Sequence, residues 1–170
     1  MFKNLFQERR RSHAVKRLGV LDTLPEPAFD RFVHQAALSF DAPIAVLSVI
    51  HSDDQWFKAA VGMAVTCIPR ENGFCGHTLD HPGVLECCDA EVDPRFADFS
   101  IVTGDPFVRY YIGAPLTLLN GVDVGALCVL DTVTRPPSSP DQRAYLLGLA
   151  RQASMALEAR GDLWREGSAA

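Results

Sequence analysis

The stretch RYYIGAPLTLLNGVDVGALCVLD, from Arg109 to Asp131, predicts the centre of the fold. It contains two apolar runs, 109–119 and 122–131, which are separated by the dipeptide Asn-Gly. Asn-Gly tolerates the positive φ angles of a two-residue hairpin turn, so we expect two antiparallel strands here. Because side chains alternate along a strand, Tyr110 and Tyr111 must point to opposite faces of the sheet.

Three further segments are predicted strands. The run APIAVLSVI (Ala42–Ile50) is short, β-branched and apolar on both alternating faces, which is typical of a central strand that is covered on both sides. The stretch QWFKAAVG (Gln55–Gly62) follows the turn HSDD as a hairpin partner. The stretch GVLECCDA (Gly83–Ala90) predicts another strand, on which Cys87 and Cys88 must point to opposite faces.

Amphipathic helices are predicted at both ends of the chain. Apolar residues at helical spacing predict helices over about 8–21 and 26–40, and the prolines of the LPEP motif separate the two. A last helix is predicted over about 141–160, with Ser139 or Asp141 as its N-terminal cap. Its apolar seam consists of Leu146, Ala150, Ala153 and Leu157, and Trp164 continues this seam by one heptad.

Together these elements predict an α+β fold, with a mainly antiparallel sheet of about five to six strands and the terminal helices on one face. The irregular stretches 63–79 and 89–108 are long for a compact domain, and long structured loops are usually functional. We expect them to cover the other face of the sheet and to enclose a pocket. We divide the chain into an N-terminal helical extension (1–16), a domain (17–160) and a C-terminal tail (161–170).

The composition disfavours several classes of protein. The 170 residues carry a net charge of -5 without a dominant basic stripe, so we expect no nucleic-acid partner. The longest apolar run, 42–50, is far too short to cross a membrane, and the N-terminus does not resemble a signal peptide. We therefore expect a cytoplasmic protein. Its five cysteines, an odd number, do not indicate a disulfide framework for a chain of this length, and we expect free thiols.

Six stretches of the sequence resemble the GAF domain family, in the form found beside bacterial sensor histidine kinases and diguanylate cyclases. They are RLGVLDTLPEPAFDRF (17–32), QWFKAAVG (55–62), FCGHTL (74–79), DAEVDPRFAD (89–98), RYYIGAPL (109–116) and GALCVLDT (125–132). The order of the predicted elements also resembles that of the family, and the resemblance covers about 17–160.

The resemblance implies a sensory or regulatory module in signal transduction, in two-component systems among others. Such a module would bind a small molecule between the sheet and the loops and relay its presence through terminal helices, often as a homodimer. No kinase, cyclase or DNA-binding segment follows Arg160, so we expect either that the protein works alone or that it is one domain of a longer receptor. A kinase or cyclase output domain could then act in cis or in trans. Fold does not fix function, so a GAF domain that only dimerises and binds no ligand stays open as an alternative.

The stretch RENGFCGHTLD (Arg70–Asp80) is the candidate wall of that pocket, and we interpret it as a turn and a short helix. It does not favour a metal site, because it offers a single close pair, Cys75 and His77, where zinc sites repeat such pairs. It does not favour a bilin chromophore either. Bilin-binding GAF domains use an Asp-Ile-Pro motif or an adjacent Cys-His pair, whereas this chain has Cys67 before Ile-Pro and a glycine between Cys75 and His77. We expect no cofactor.

An enzymatic alternative rests on the stretch CIPRENGFCG (Cys67–Gly76), which resembles free methionine-R-sulfoxide reductases of the GAF family. In that alternative Cys75 or Cys67 attacks the sulfoxide, a second thiol resolves the product, and Asp89 or Asp93 holds the substrate ammonium. The third cysteine of those enzymes has no clear match here. Cys128 lies in an apolar strand, where cysteine usually acts as a small hydrophobic residue. We therefore predict a non-enzymatic domain without catalytic residues.

The predicted ligand-binding residues come from the loops and from the strand that faces them. They are Phe74, Cys75, His77, Asp89, Asp93, Phe96, Arg109 and Tyr111. Structural roles compete at several of these positions. Asp93 is expected to cap a short helix that begins at Pro94, and Arg109 is expected to pair with Asp89 or Asp93.

A homodimer is predicted from the last helix together with the N-terminal helix. Beside its apolar seam, the last helix carries a partial second stripe of Tyr145, Leu149, Gln152 and Ala156. Small residues such as Gly148 would allow a second helix to approach closely. We expect Leu157→Glu to disrupt the dimer.

Overall fold

The computed structural model describes residues 2–170, with side chains from Asn4 onward, and it confirms the α+β fold. Five α-helices and six strands follow one another along the described chain. The helices are α1 (Phe2–Leu18), α2 (Pro27–Ser39), α3 (Cys75–Leu79), α4 (Ser100–Thr103) and α5 (Pro140–Ser168). The strands are β1 (Ile44–His51), β2 (Asp54–Val61), β3 (Cys67–Pro69), β4 (Leu85–Cys87), β5 (Tyr110–Thr117) and β6 (Asp123–Asp131). A 3-10 turn, Arg70–Asn72, connects β3 to α3.

The six strands form one antiparallel sheet in the order β3-β2-β1-β6-β5-β4. The central strands β1 and β6 are apolar on both faces because each face is covered by a separate layer. On one face, α1, α2 and α5 bury a core that includes Phe32, Leu47 and Tyr110. On the other face, the loops around α3 and α4 bury a second core, which includes Phe74 and Tyr111. Tyr110 and Tyr111 therefore point to opposite faces, as predicted.

The hairpin between β5 and β6 is confirmed, but its predicted two-residue turn is wrong. The amide of Leu118 donates to the carbonyl of Val122, and the amide of Gly121 donates to the carbonyl of Leu118. The loop thus contains three residues, and only Gly121 has a positive φ, of 80°. This is the three-residue alternative, in which a turn is followed by a residue in the left-handed region. The loop is longer because Leu118 and Val122 remain paired and buried beyond the strand ends.

Helix α5 begins with the predicted cap at Ser139. The Ser139 hydroxyl accepts from the amide of Gln142, and the Gln142 side chain accepts from the amide of Ser139. This reciprocal capping box satisfies two backbone donors that the first turn leaves free. The helix continues to Ser168, so 161–170 is helical over most of its length. Gly161 lies against Arg17 and Leu18 at the end of α1, where a Cβ would be in tight contact with their backbones.

The predicted seam of α5 is confirmed as a core stripe. Leu146, Ala150, Ala153 and Leu157 are buried against this domain's own sheet and helices. Leu149, which we assigned to the second stripe, is also buried in that core. Tyr145 of that stripe is exposed on the outer surface of α5, together with Met155 and Leu163. A dimer formed by α5 would have to use this outer surface, and Leu157→Glu would disrupt the domain itself.

Candidate functional site

The predicted wall RENGFCGHTLD forms the 3-10 turn and α3, and it lies on the loop face of the sheet. Helix α3 packs on β6, β5 and β1, which places Cys75 and Thr78 against the strands. Phe74, directly before α3, stacks on Tyr111 of β5 with ring centroids 4.8 Å apart. Phe96 and Phe99 pack around Phe74, at centroid distances of 4.7 and 5.4 Å. The interior of the expected pocket is therefore largely filled by aromatic rings.

A small cavity of about 20 Å³ remains between this aromatic cluster and the sheet. Its wall includes Phe74, Cys75 and Tyr111 from the prediction, together with Gln55 and Cys128. Half-buried Met63 and Ile101 form part of its outer side. A cavity of this size accommodates about one water-sized molecule, whereas sites for larger ligands usually span roughly 300–1,000 Å³.

Polar side chains surround Cys75 in this otherwise apolar layer. The Sγ atoms of Cys75 and Cys128 are 3.7 Å apart, and the Tyr111 hydroxyl lies 3.6 Å from Cys75 Sγ. Tyr111 also shares a hydrogen bond of 2.6 Å with the hydroxyl of Thr78. Ser48 Oγ and Gln55 Oε1 are buried without a hydrogen-bond partner in the part of the chain that the structure describes. We call Ser48, Gln55, Cys75, Tyr111 and Cys128 the thiol cluster.

The thiol cluster favours a negative charge on Cys75. Donation from the thiol of Cys128 lowers the pKa of Cys75 most, burial opposes it, and the neighbouring Ser48, Tyr111 and Gln55 lower it further, to about 7. The pKa of Cys128 is raised well above its ordinary value, because it donates to Cys75 and because it is buried. Cys75 is therefore the nucleophilic member of the pair, and Cys128 retains its proton.

Glycine makes room for this arrangement at two positions. A Cβ at Gly73 would collide with Gln55 Oε1, and a Cβ at Gly113 would collide with the hydroxyl of Tyr111. Alanine at position 73 would therefore displace the Gln55 side chain from the cluster, and alanine at position 113 would displace the Tyr111 hydroxyl.

A second, open cleft lies beside the first. It has a volume of about 560 Å³, and its wall includes Asp53, Arg70, His77 and Asp80. Arg70 is held by two contacts of 2.9 Å to the carboxylate of Glu8 on α1. That hydrogen-bonded ion pair lowers the pKa of Glu8 below its ordinary value against the effect of burial. The 3-10 turn is therefore tied directly to the N-terminal helix.

The sheet order, the helix face and the loop-covered cavity agree with one known family. The family model described as GAF domain matches residues 24–157, most of the chain. This chain belongs to the GAF domain family.

Relatives and solved structures give the same picture. The chain is 37% identical over 144 residues to the cyclic di-GMP phosphodiesterase PA2567 of Pseudomonas aeruginosa. This alignment covers 85% of the chain but only 24% of that relative, so the chain spans about a quarter of its length.

Two solved structures share the fold at low sequence identity. The GAF domain of an Acinetobacter phosphoenolpyruvate-protein phosphotransferase has a TM-score of 0.67 at 15% identity, covering 95% of this chain and 96% of that one. The free methionine-R-sulfoxide reductase of Neisseria meningitidis has a TM-score of 0.60 at 20% identity, covering 82% of this chain and 78% of that one.

The structure separates the predicted ligand residues of this GAF domain into three groups. Phe74, Cys75 and Tyr111 line the small cavity. His77 is exposed at the open cleft and lies edge-on to Phe96, with ring centroids 5.0 Å apart, while Phe96 is buried in the aromatic cluster. Among the described residues, the walls of both spaces are formed without the remaining three, Asp89, Asp93 and Arg109.

Those three residues instead order the second loop of the GAF domain. Asp89 accepts from the amide of Glu91, and Asp93 accepts from the amide and the guanidinium of Arg95. Asp93 thus begins a turn as expected, but the segment from Pro94 remains a turn and does not become the predicted helix. The predicted partner of Arg109 is wrong, because Arg109 pairs with Glu91 at 3.3 Å. The side chain of Asp93 is already occupied by Arg95, which leaves the more exposed Glu91 as the available carboxylate.

A polar network on the helix face connects the sheet to α5. Tyr110 donates to Glu86 at 2.6 Å, and Glu86 also accepts from the amide of Ser138 and from the guanidinium of Arg143. Burial raises the pKa of Glu86, but these hydrogen bonds and the charge of Arg143 outweigh it and keep that pKa below its ordinary value. Tyr110 precedes Tyr111 in the chain, so one strand contacts the thiol cluster on one face and the start of α5 on the other.

Sequence reasoning missed Ser48, Gln55, Thr78, Glu86 and Arg70. Ser48 carried a signal, because it is a polar residue within the otherwise apolar run of β1. Cys128 was assigned a packing role alone, since its neighbour Cys75 lies 53 positions away and only the fold brings them together.

Within 2–170, no group of three or more His, Cys, Asp or Glu side chains is arranged to hold a metal ion. None of the helices in that range is long and apolar enough to cross a membrane.

Proposed function

We propose that this GAF domain is a regulatory module of a signal-transduction protein, in which the packing of the loop layer controls the position of α5. The observation that carries the proposal is the double contact of β5. Tyr111 binds Thr78 of the loop layer, while Tyr110 binds Glu86, which in turn holds Ser138 and Arg143 at the start of α5. A shift of β5 would therefore change the contacts with Thr78 in the loop layer and with Ser138 and Arg143 at the start of α5.

The signal in this proposal is a small molecule that favours an open arrangement of the loop layer. The cavity of about 20 Å³ is too small for a metabolite in the closed arrangement. A ligand would therefore bind a second conformation in which α3 and its aromatic neighbours move from the sheet. It shifts the equilibrium only by its differential affinity for the two conformations.

The regulatory role is favoured over the sulfoxide reductase. Methionine sulfoxide, like any metabolite, would fit beside Cys75 only after the loop layer opens, and the third cysteine of those enzymes has no clear match in this chain. The other proposed nucleophile, Cys67, has a pKa raised by burial and by the charge of Asp54, which reduces its thiolate fraction. The Neisseria enzyme shares the fold at 20% identity, which carries no argument about activity.

The proposed assembly is a homodimer through the outer surfaces of α5 and α1. Exposed Tyr145, Met155 and Leu163 lie on α5, and exposed Leu5 and Phe6 lie on α1. Gly148, between the first two, has open space around its Cα. Parallel α5 helices across a two-fold axis would pass a change in helix position to an output domain. The Pseudomonas relative is a cyclic di-GMP phosphodiesterase.

A chimera tests this proposal. The segment of PA2567 that matches this chain is replaced by the chain, and cyclic di-GMP hydrolysis is measured. Glu86→Gln weakens the contact between β5 and α5, and we expect it to change the rate by about 5-fold or more, the usual lower range of coupling between sites. Glu166→Gln makes the same substitution at an exposed position of α5 and is the control. Equal rates for the two variants and the unsubstituted chimera would contradict the proposal.

A further inference from the structure

The thiol cluster combines features that the regulatory role does not use. Two thiols lie 3.7 Å apart, on α3 and β6, and both are at most 2% exposed. Two polar atoms beside them, Ser48 Oγ and Gln55 Oε1, are buried without a partner among the described residues. Buried polar atoms are usually satisfied by protein or by a bound molecule. Of these two residues Gln55 lines the cavity, so its unpaired oxygen indicates that the cavity holds a polar guest.

The size of the cavity limits what that guest can be. About 20 Å³ suits one molecule of the size of water, and the cavity wall includes Cys75, Cys128 and Gln55. Met63, Ile68 and Ile101 line the cavity and are only half-buried, so this part of its wall also reaches solvent. A small molecule could reach the thiols by displacement of these side chains, without opening the aromatic cluster.

We propose that Cys75 and Cys128 form a site that reacts with hydrogen peroxide and closes an intramolecular disulfide. The peroxide, which is one oxygen larger than water, occupies the cavity beside Cys75 Sγ with a small displacement of the half-buried side chains, and Gln55 hydrogen-bonds to it. Tyr111 donates to the sulfur and holds it toward the cavity.

The reaction proceeds in two steps. The Cys75 thiolate attacks one peroxide oxygen, so that an S–O bond forms, the O–O bond breaks, and the leaving hydroxide takes up the proton released by Cys75. Cys128 then loses its proton and attacks the sulfenic sulfur, so that the S–S bond forms and the S–O bond breaks. The departing hydroxide takes the proton of Cys128. In sum, two thiols are oxidised and one peroxide is reduced to two molecules of water.

Closing the disulfide requires a small movement. The two sulfurs must approach from 3.7 Å to the bonded distance of about 2.05 Å. The bond would join α3 to β6 and fix the loop layer on the sheet. This differs from the reductase hypothesis, in which Cys67 or Cys75 attacks a sulfoxide.

Thiol counting on the native chain tests the proposal. The protein is treated with hydrogen peroxide, unfolded, alkylated with N-ethylmaleimide, and weighed by mass spectrometry. We expect two of the five thiols to be lost, with recovery by dithiothreitol. A peptide map without reduction should link Cys75 to Cys128. Retention of all five thiols, or a link between any other pair, would overturn the proposal, and this readout needs no variant.

Variants assign the roles of the two sulfurs. Cys75→Ser should abolish thiol loss, and Cys128→Ser should leave a sulfenic acid on Cys75 that dimedone traps. Cys88→Ser is the matched control, because Cys88 lies on the helix face of the sheet, and it should react as the wild type does. Failure of dimedone to label a folded Cys128→Ser variant would overturn the assigned order of attack.

A larger peroxide tests the role of the cavity. We expect tert-butyl hydroperoxide to oxidise the pair more slowly than hydrogen peroxide does, because the cavity excludes its alkyl group. Equal rates would overturn the assignment of the peroxide to this cavity. The test is independent of the chimera, since it needs no output domain.

Discussion

The carboxylate of Asp93, which is held by Arg95, contributes to the raised pKa of Cys87 at the end of β4. Hydrogen bonds from Arg95 lower the pKa of Asp93 to about 2, against the effect of burial. Cys87 Sγ lies 3.6 Å from the same carboxylate, and burial followed by this charge raises its pKa to about 12. Cys87 is therefore a protonated and unreactive thiol at neutral pH, in contrast to Cys75 on the same face of the sheet.

We expect Asp93→Asn to lower the pKa of Cys87, because the substitution removes the neighbouring negative charge while burial remains. Alkylation of Cys87 as a function of pH, followed by mass spectrometry of its peptide, measures this pKa. Asp98→Asn, at an exposed position, is the control. If the pH dependence of Cys87 alkylation were the same in Asp93→Asn as in the wild type, burial alone would set the pKa of Cys87.

The same pair predicts a dependence of stability on pH. The pKa of Asp93 is lower in the folded chain than in the unfolded one, so its contribution is fully present above the unfolded value of 3.8 and is lost as the pH falls toward 2. The difference in unfolding free energy between wild type and Asp93→Asn, from urea titrations, should shrink over that interval. A constant difference between pH 5 and pH 2 would contradict this assignment.

The end of α1 and the last turns of α5 are in contact, because Gly19 packs against the ring of Trp164. Gly19, just after α1, has a φ of 63°, and a Cβ there would collide with the ring of Trp164. Arg160 strengthens the same junction through hydrogen bonds to the carbonyls of Leu18 and Gly19. The C-terminal turns of α5 are thereby packed against the domain.

We expect Gly19→Ala to destabilise the domain by more than Gly83→Ala. Both glycines have positive φ angles, so both substitutions incur a backbone cost of roughly 1–2 kcal/mol. A Cβ at Gly83 meets open space, so the Gly83→Ala variant has only the backbone cost. The additional loss of unfolding free energy in Gly19→Ala therefore measures the displacement of Trp164. Urea unfolding measures both values, and tryptophan fluorescence should shift to longer wavelength in Gly19→Ala alone. Equal losses with unchanged fluorescence would contradict this packing.

The sequence predicted most of these elements because their signals are local. Alternation, helical spacing and turn residues gave β1, β5, β6 and α5, since each depends on neighbours in the chain. The small cavity could not be predicted in this way. It depends on how far Phe74, Phe96 and Tyr111 fill the space above the sheet, which is decided by packing between distant segments. The same limit explains why Cys128 was missed as the partner of Cys75.

The molecule as a whole has two unequal surfaces: a loop layer packed over a small cavity, and a helical layer with an exposed apolar stripe. For the proposed dimer, we expect Met155→Glu to convert a dimer to a monomer, because it places a charge in that stripe without entering the core. Light scattering at micromolar concentration measures the mass. Val92→Glu, which places the same charge at an exposed apolar residue outside α1 and α5, is the control. A monomeric wild type would contradict the dimer.

The central claim is that the loop layer and α5 are coupled through β5, and hydrogen exchange followed by mass spectrometry tests it most directly. Thr78→Val removes the 2.6 Å hydrogen bond of the Tyr111 hydroxyl and leaves this buried group with the longer contact to Cys75 Sγ, at a cost of about 1–3 kcal/mol. We predict faster exchange in β5 and in residues 140–146 at the start of α5, with residues 153–160 unchanged. Thr103→Val, at an exposed position, should leave all of these rates unaltered. Acceleration in Thr78→Val that stops at β5, or that spreads evenly along α5, would contradict the coupling.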